Sequence, residues 1–173
     1  MRAVRVVLLA ALVVVAQVSV FPHLRIAGTA PDLVLLLAIA VAYRLGPDAG
    51  AITGFGAGLA FDLFLETPLG LTALVAAVVG YAAGVFTAGL LRVPRLLPVT
   101  LGAVGGFAGG LLFIAVGTLA GSEAVQGLAA LRTVAVASAY DALLAPLVFG
   151  LVALVVRPER QADPWALGPM LRR

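Results

Sequence analysis

The stretch GFGAGLAFDLFLETPLG, residues 54–70, places two acids, Asp62 and Glu66, at the end of an apolar run. The chain around it has 173 residues, of which 63% are hydrophobic and 11% are charged, and its mean hydropathy is +1.18. Soluble domains carry about 25% charged residues. The composition therefore predicts an integral membrane protein, in which each acid within lipid needs a local reason to be there.

Apolar runs separated by proline, glycine and arginine predict six membrane-spanning helices. A helix rises about 1.5 Å per residue and a hydrocarbon core is about 30 Å thick, so one crossing takes about 20 residues. The predicted spans are residues 4–20, 32–44, 47–66, 71–91, 99–121 and 133–156. The second span reaches only about 24 Å even when it is extended to residues 31–46. We therefore expect it in a thinned or protein-lined place.

Two alternatives concern the first half of the chain. The first run resembles a signal peptide, but Pro31 would directly follow the cleavage site, which disfavours cleavage. The other alternative is a re-entrant hairpin of the second and third spans, which would place Arg44 within the membrane or on the wrong face. Six spans remain the preferred interpretation.

The predicted domains are a six-span membrane domain, residues 1–157, and a flexible cytoplasmic tail, residues 158–173. The tail is polar and rich in proline, and we expect Trp165 near the lipid headgroups. Between the fifth and sixth spans, Ser122 and Glu123 look like the cap and first turn of a short surface helix. Its apolar side would carry Val125, Leu128 and Leu131.

The arginines predict which side of the membrane each terminus faces, because cytoplasmic loops carry an excess of basic residues. With six spans, only Arg25 and Arg132 fall on one side. The other side collects Arg2, Arg5, Arg44, Arg92, Arg95, Arg157, Arg160, Arg172 and Arg173. Both termini are therefore predicted to be cytoplasmic.

Small residues recur at helical spacing in the third and fourth spans. Because helices associate in lipid largely through close backbone packing, such ladders indicate a compact bundle. They also occur by chance in a chain with 20 glycines. The residues predicted for helix packing or partner docking are Gly50, Gly54, Gly58, Asp62, Gly80 and Gly84.

Asp62 lies about one turn from the end of the third span. We expect its carboxylate to accept hydrogen bonds from the amides of residues 67–70 or from Thr72, which would pin the corner between the third and fourth spans. The corner itself is predicted to consist of Thr67, Pro68 and Gly70. Ligation of an ion or substrate and a polar contact with a partner helix are the alternatives.

Asp141 is the more deeply placed acid, about nine residues and roughly 13 Å along the sixth span from Arg132. Tyr140 precedes it, and Pro146 removes the amide that would bond the carbonyl of Ala142. We expect a neutral or hydrogen-bonded Asp141 buried between helices. Proton relay or ion coupling is the alternative role for Asp141. It is disfavoured because the sequence shows no second deep carboxylate or basic residue that could act as a partner.

No catalytic constellation is visible in the sequence. The single histidine, His23, is expected in a solvated loop, and no serine stands in a nucleophile-elbow pattern. There is no cysteine, and one histidine supports no metal cluster. No arginine cluster resembles a nucleic-acid site. We therefore predict a non-enzyme without cofactor, metal or nucleic-acid partner.

The order of these motifs resembles the rod shape-determining MreD family. Residues 31–84, PDLVLLLAIAVAYRLGPDAGAITGFGAGLAFDLFLETPLGLTALVAAVVGYAAG, carry most of the likeness. YDALLAPLVFGLVALVVR, residues 140–157, resembles the closing span of the family. Two residues depart from the pattern: Asp141 stands where asparagine is expected, and Glu66 stands where a small polar residue is usual.

The resemblance implies a non-catalytic scaffold of the elongation machinery that inserts lateral peptidoglycan. It implies MreC, the RodA glycosyltransferase with its transpeptidase, and possibly MreB filaments as partners, docked through glycine-lined surfaces. The fold implied is all-α, with six transmembrane helices similar to the substrate-binding subunits of energy-coupling-factor (ECF) transporters. That similarity supplies the alternative function, a vitamin-type uptake subunit. Such a subunit needs convergent polar groups around a cavity, and we instead expect a packed interior without one.

Overall fold

The computed structural model describes residues 2–24, 28–65, 68–89, 96–119, 121 and 128–156. Six α-helices lie within these residues, and a short 3-10 turn, Phe21–His23, follows the first. The helices are α1 (Arg2–Ser19), α2 (Leu33–Leu45), α3 (Pro47–Asp62), α4 (Leu71–Ala88), α5 (Leu97–Leu119) and α6 (Leu128–Val155). The tail, the Arg92 and Arg95 loop, Glu66 and the corner residue Thr67 lie outside the described residues.

Four segments are long and apolar enough to cross a membrane. They are Ala3–His23, Leu71–Ala88, Leu97–Leu119 and Ala130–Val155. The helix α2 is apolar but has only 13 residues, and α3 has 16. The all-helical class is therefore confirmed for the described residues, with four helices able to cross a membrane, and six crossings stay a prediction.

The short helix α2 lies at the centre of the bundle. Every residue from Leu33 to Ala42 is buried, and α2 packs against all five other helices. A helix that is hydrophobic on all sides belongs in the interior of a protein or in lipid. The predicted protein-lined setting of the short second span is confirmed, since its covering is other helices.

The two ends of α2 are fixed by specific residues. At its start, Asp32 is the N-cap, and its carboxylate accepts a hydrogen bond from the amide of Leu35 at 2.9 Å. At its end, Gly46 has φ +96°, which residues with a Cβ rarely adopt. Pro47 then opens α3, where its missing amide costs nothing. The chain thus reverses direction between α2 and α3 in a single residue.

The hairpin of α5 and α6 covers the other side of α2. Its close contacts pair Gly102 with Ala145 and Gly110 with Val134, so the two helices are antiparallel. The helix α6 begins at Leu128 and includes Leu131. The prediction that these two leucines belong to a separate surface helix is wrong, because the turns before Thr133 continue into α6. Ser122, Glu123 and Val125 lie outside the described residues.

The bundle has two ends, which we name after their turns. The Gly46 end holds the α2–α3 turn, with Arg5 and Arg44 exposed there. The Gly70 end holds the α3–α4 corner, the start of α2 and the start of α6, with Arg132 exposed. The amide contacts of Gln17 described below place the end of α1 here as well.

Candidate functional site

Asp62 is fully buried where α3 meets α4, and its carboxylate is saturated by backbone amides. Oδ2 accepts hydrogen bonds from the amides of Gly70 at 2.9 Å and Ala73 at 3.3 Å, and Oδ1 accepts one from Thr72 at 3.3 Å. These amides belong to the first turn of α4 and the residue before it, where no earlier carbonyl is available to them. The predicted hydrogen bonding of Asp62 is thus present, and it holds the corner closed.

The corner also depends on backbone shape. Gly70 has φ +91° and is the N-cap of α4, so a residue with a Cβ would be strained there. Pro68 is exposed and lies two residues before it. The carbonyl of Pro68 accepts a hydrogen bond from the amide of Leu71 at 3.2 Å. Pro68 and Gly70 therefore form a tight turn that delivers three amides to Asp62.

The predicted glycine ridge faces other helices of the same chain. A Cβ built on Gly54 would lie 2.6 Å from the carbonyl oxygen of Ala76, and one on Gly58 would lie 2.6 Å from the Cα of Ala73. The remaining three, Gly50, Gly80 and Gly84, are likewise buried against α2, α3 or the α2–α3 turn. These glycines let α2, α3 and α4 touch through their backbones. A role in partner docking stays a prediction.

Asp141 is 1% exposed and lies between α6, α5 and the start of α2. Its Oδ1 accepts a hydrogen bond from the backbone amide of Asp32 at 2.7 Å. The expectation of a hydrogen-bonded Asp141 buried between helices is met. The expectation that no second deep carboxylate is available is wrong, because Asp32 caps α2 at the same place and brings its own carboxylate.

Gln17 is a site residue that the sequence analysis missed. Its Nε2 donates to the carbonyl of Pro31 at 2.8 Å, and its Oε1 accepts from the amide of Leu33 at 3.0 Å. Both groups of its amide thus hold the segment that leads into α2. The sequence did contain an indication of this role, because Gln17 is the only polar residue between Arg5 and Ser19.

The polar groups at the start of α2 border a cavity of about 460 Å³ at the Gly70 end. Its polar lining includes Gln17, Thr29, Asp32, Thr72 and Asp141, and residues from α3, α4, α5 and α6 complete its walls. The prediction of a packed interior without a cavity is therefore wrong. Three glycines of α5, Gly106, Gly109 and Gly110, are part of the lining, and side chains of α2 and α6 pack directly against them.

The remaining predicted residues, Tyr140, Pro146 and His23, are not among those that line this cavity. The hydroxyl of Tyr140 donates to the carbonyl of Leu24 at 3.2 Å. The helix α6 continues through Pro146, which is exposed. His23 is exposed, with Nδ1 3.2 Å from the carbonyl oxygen of Ser19. Among the described residues there is no group of three or more side chains that could hold a metal ion.

These observations define an all-helical protein with four helices able to cross a membrane, whose buried polar side chains mainly bind its own backbone. The family model described as rod shape-determining protein MreD matches residues 1–155, and the chain belongs to that family. Membership implies a role in determining rod shape. No curated protein and no solved structure matches the chain. The predicted likeness to ECF transporter subunits therefore has no support from a structural match.

Proposed function

We propose that this chain is a non-catalytic membrane scaffold of the bacterial elongation machinery, which supports lateral peptidoglycan synthesis. The observation that carries this proposal is the family match over residues 1–155. Its partners would be MreC, RodA with its transpeptidase, and possibly MreB. The alternative, a subunit for vitamin-type uptake, gains no support from either the family match or a structural match.

The outward faces of the helices suit a scaffold. Large apolar side chains are exposed on every long helix, such as Leu12 on α1, Val85 on α4, Val104 on α5 and Leu147 on α6. In a membrane these faces meet lipid or the helices of neighbours, whereas the side chains of Gln17, Asp62 and Asp141 are buried inside the bundle. The scaffold would therefore dock its partners through apolar packing, with no chemistry required of the side chains involved.

The proposed topology has six crossings, with both termini in the cytoplasm. The two short helices, α2 and α3, span about 20 and 24 Å at 1.5 Å per residue. Because α2 is covered by protein, its length need not match the lipid thickness. The described arginines agree with the proposed orientation, since Arg5 and Arg44 lie at the Gly46 end and Arg132 at the other.

Crosslinking in the membrane tests the scaffold. The chain has no cysteine, so single cysteines at Leu12, Ile52, Val85, Val104 and Leu147 each report one outward face. We expect at least one of them to capture MreC or a component of the cell-wall synthase. A cysteine at Leu36, which is buried in α2, is the matched control and should capture neither. Capture of an ATPase-coupled transporter subunit instead would favour uptake.

The same reagents test the orientation. A cysteine at Arg132 should react from outside the cell with a membrane-impermeant maleimide, and a cysteine at Arg44 should react only after the membrane is opened. The reverse pattern, or equal labelling of both from outside, would refute the proposed topology.

A further inference from the structure

Asp141 lines the cavity, and one of its carboxylate oxygens has no hydrogen-bond partner among the described residues. Its Oδ1 accepts from the amide of Asp32, whereas no described residue donates to Oδ2. A Cβ built on Gly106 would lie 2.6 Å from Oδ2. Oδ2 therefore packs against Gly106 in space that any larger residue would occupy, and a donor can reach it only from the cavity.

The charge around this oxygen is of one sign. Asp32 and Asp141 both line the cavity, and the described lining contains no lysine, arginine or histidine. A carboxylate removed from water either takes up a proton or needs a positive group beside it. No described lining residue supplies that positive group, so a cationic ligand would be stabilised in the cavity.

The lining favours an organic cation over a metal ion. Calcium and magnesium take about six oxygen ligands, whereas the described residues hold no group of three potential metal-binding side chains. The walls are largely apolar, with Leu35, Phe61, Phe113, Ile114 and Val134 among them. The volume of about 460 Å³ falls within the range of about 300–1,000 Å³ that is usual for small-molecule sites.

We propose that the cavity binds a primary ammonium group. The N–H of the ammonium donates to Oδ2 of Asp141, and the apolar walls cover the carbon atoms attached to the nitrogen. The cavity extends to Leu65 beyond the end of α3 and to Ala130, where the part of α6 able to cross a membrane begins, so in the proposed topology this end faces the lipid headgroups. The ammonium group comes either from a phosphatidylethanolamine headgroup or from a free amine.

Lipid binding by the purified full chain tests the first source. Native mass spectrometry compares phosphatidylethanolamine with phosphatidylcholine of the same acyl chains, whose nitrogen has no hydrogen to donate. A charge-assisted hydrogen bond predicts roughly tenfold tighter binding of phosphatidylethanolamine. Asp141→Asn should bring the two lipids to within about twofold of each other. Asp48→Asn removes an exposed charge at the Gly46 end and should leave the preference unchanged.

Thermal unfolding tests the second source. n-Butylammonium should raise the unfolding midpoint of the wild type, while tetramethylammonium at equal concentration should not. A shift with n-butylammonium and no preference between the lipids identifies a free amine as the source. The proposal is overturned if Asp141→Asn and the wild type respond alike to both lipids and both amines. Binding would then not depend on the Asp141 carboxylate.

A second variant keeps the test decisive if Asp141→Asn does not fold. Ala137 lines the cavity without contributing a polar side chain. Ala137→Leu should occupy part of the space and weaken the phosphatidylethanolamine or n-butylammonium response while both carboxylates remain. If Ala137→Leu leaves both responses at the wild-type level, the cavity is not the binding site.

Discussion

Asp62 and Asp141 are both buried carboxylates at the Gly70 end, but their surroundings differ. Asp62 accepts from three backbone amides, and both of its oxygens are occupied. Asp141 accepts from one amide and turns its second oxygen toward a cavity. A carboxylate saturated by its own backbone stabilises a turn, whereas one with a free oxygen retains the capacity to bind something else.

The two carboxylates also bring together different parts of the chain. The amides on Asp62 lie 8 to 11 residues away in sequence, so this contact closes a local hairpin. The amide on Asp141 lies 109 residues away, so this contact fixes the start of α2 against α6. The first interaction shapes a corner, and the second joins the start of the central helix to α6.

The largest expected effect comes from Asp62→Asn. An asparagine has one acceptor oxygen, so at least one of the three amides would lose its partner, and the new NH2 group would face an N–H. We expect a loss of about 2–3 kcal/mol in the free energy of unfolding, measured by denaturant titration in detergent micelles. In Asp141→Asn the side-chain oxygen can still accept the hydrogen bond from the Asp32 amide. The loss in the free energy of unfolding should therefore be less than about 1 kcal/mol. Equal losses in the two variants would contradict the comparison.

Alanine substitutions at glycine should show an intermediate effect. A Cβ on Gly58 would meet the backbone of Ala73, which cannot move alone, whereas a Cβ on Gly106 would meet the side-chain oxygen of Asp141. Gly58→Ala should therefore cost about 1–3 kcal/mol, and Gly106→Ala should cost less. Gly56→Ala is the matched control, because no atom lies within 4 Å of its added Cβ.

In this control the gain in helix propensity should stabilise the chain by about 0.5–1 kcal/mol. The same unfolding titration measures all three variants. A Gly58→Ala chain as stable as Gly56→Ala would show that α3 and α4 do not pack as closely as the structure indicates.

The smallest expected effect is at Thr72. Its hydroxyl oxygen is buried and has no hydrogen-bond partner among the described residues, although its amide is bonded to Asp62. Thr72→Val replaces the hydroxyl by a methyl group and should leave the free energy of unfolding unchanged or raise it by up to about 1 kcal/mol. Ser138→Ala, which removes a hydroxyl bonded to the Ala135 carbonyl, should instead lower it slightly. A larger loss at Thr72 than at Ser138 would mean that the Thr72 hydroxyl has a partner.

The parts of the fold that depend on nearby residues could be predicted from the sequence. Pro68 and Gly70 mark a turn, and Asp62 lies eight residues before Gly70, so the closure of that corner follows from local spacing. The shortness of α2 also pointed correctly to a covering of protein, since 13 residues do not cross a hydrocarbon core of about 30 Å.

The cavity and its acids could not be predicted in the same way. The contact between Asp32 and Asp141 depends on the depth at which α2 begins, which is set by packing against all the other helices. The start of α6 was misplaced for a related reason, because a helix that continues beyond the lipid leaves no apolar boundary in the sequence. Periodicity reports which side of a helix is apolar, but it does not report which distant helix covers it.

The burial of α2 also dictates when the protein can reach its final form during synthesis. Four of the helices that cover α2 follow it in the chain, so it leaves the ribosome before most of its neighbours exist. The amide of Asp32 meets its acceptor only after α6 has been made. A chain interrupted before α6 would therefore leave one side of the central helix uncovered and exposed to the proteases that remove incomplete membrane proteins, and completion of the last helix becomes the step that closes that side.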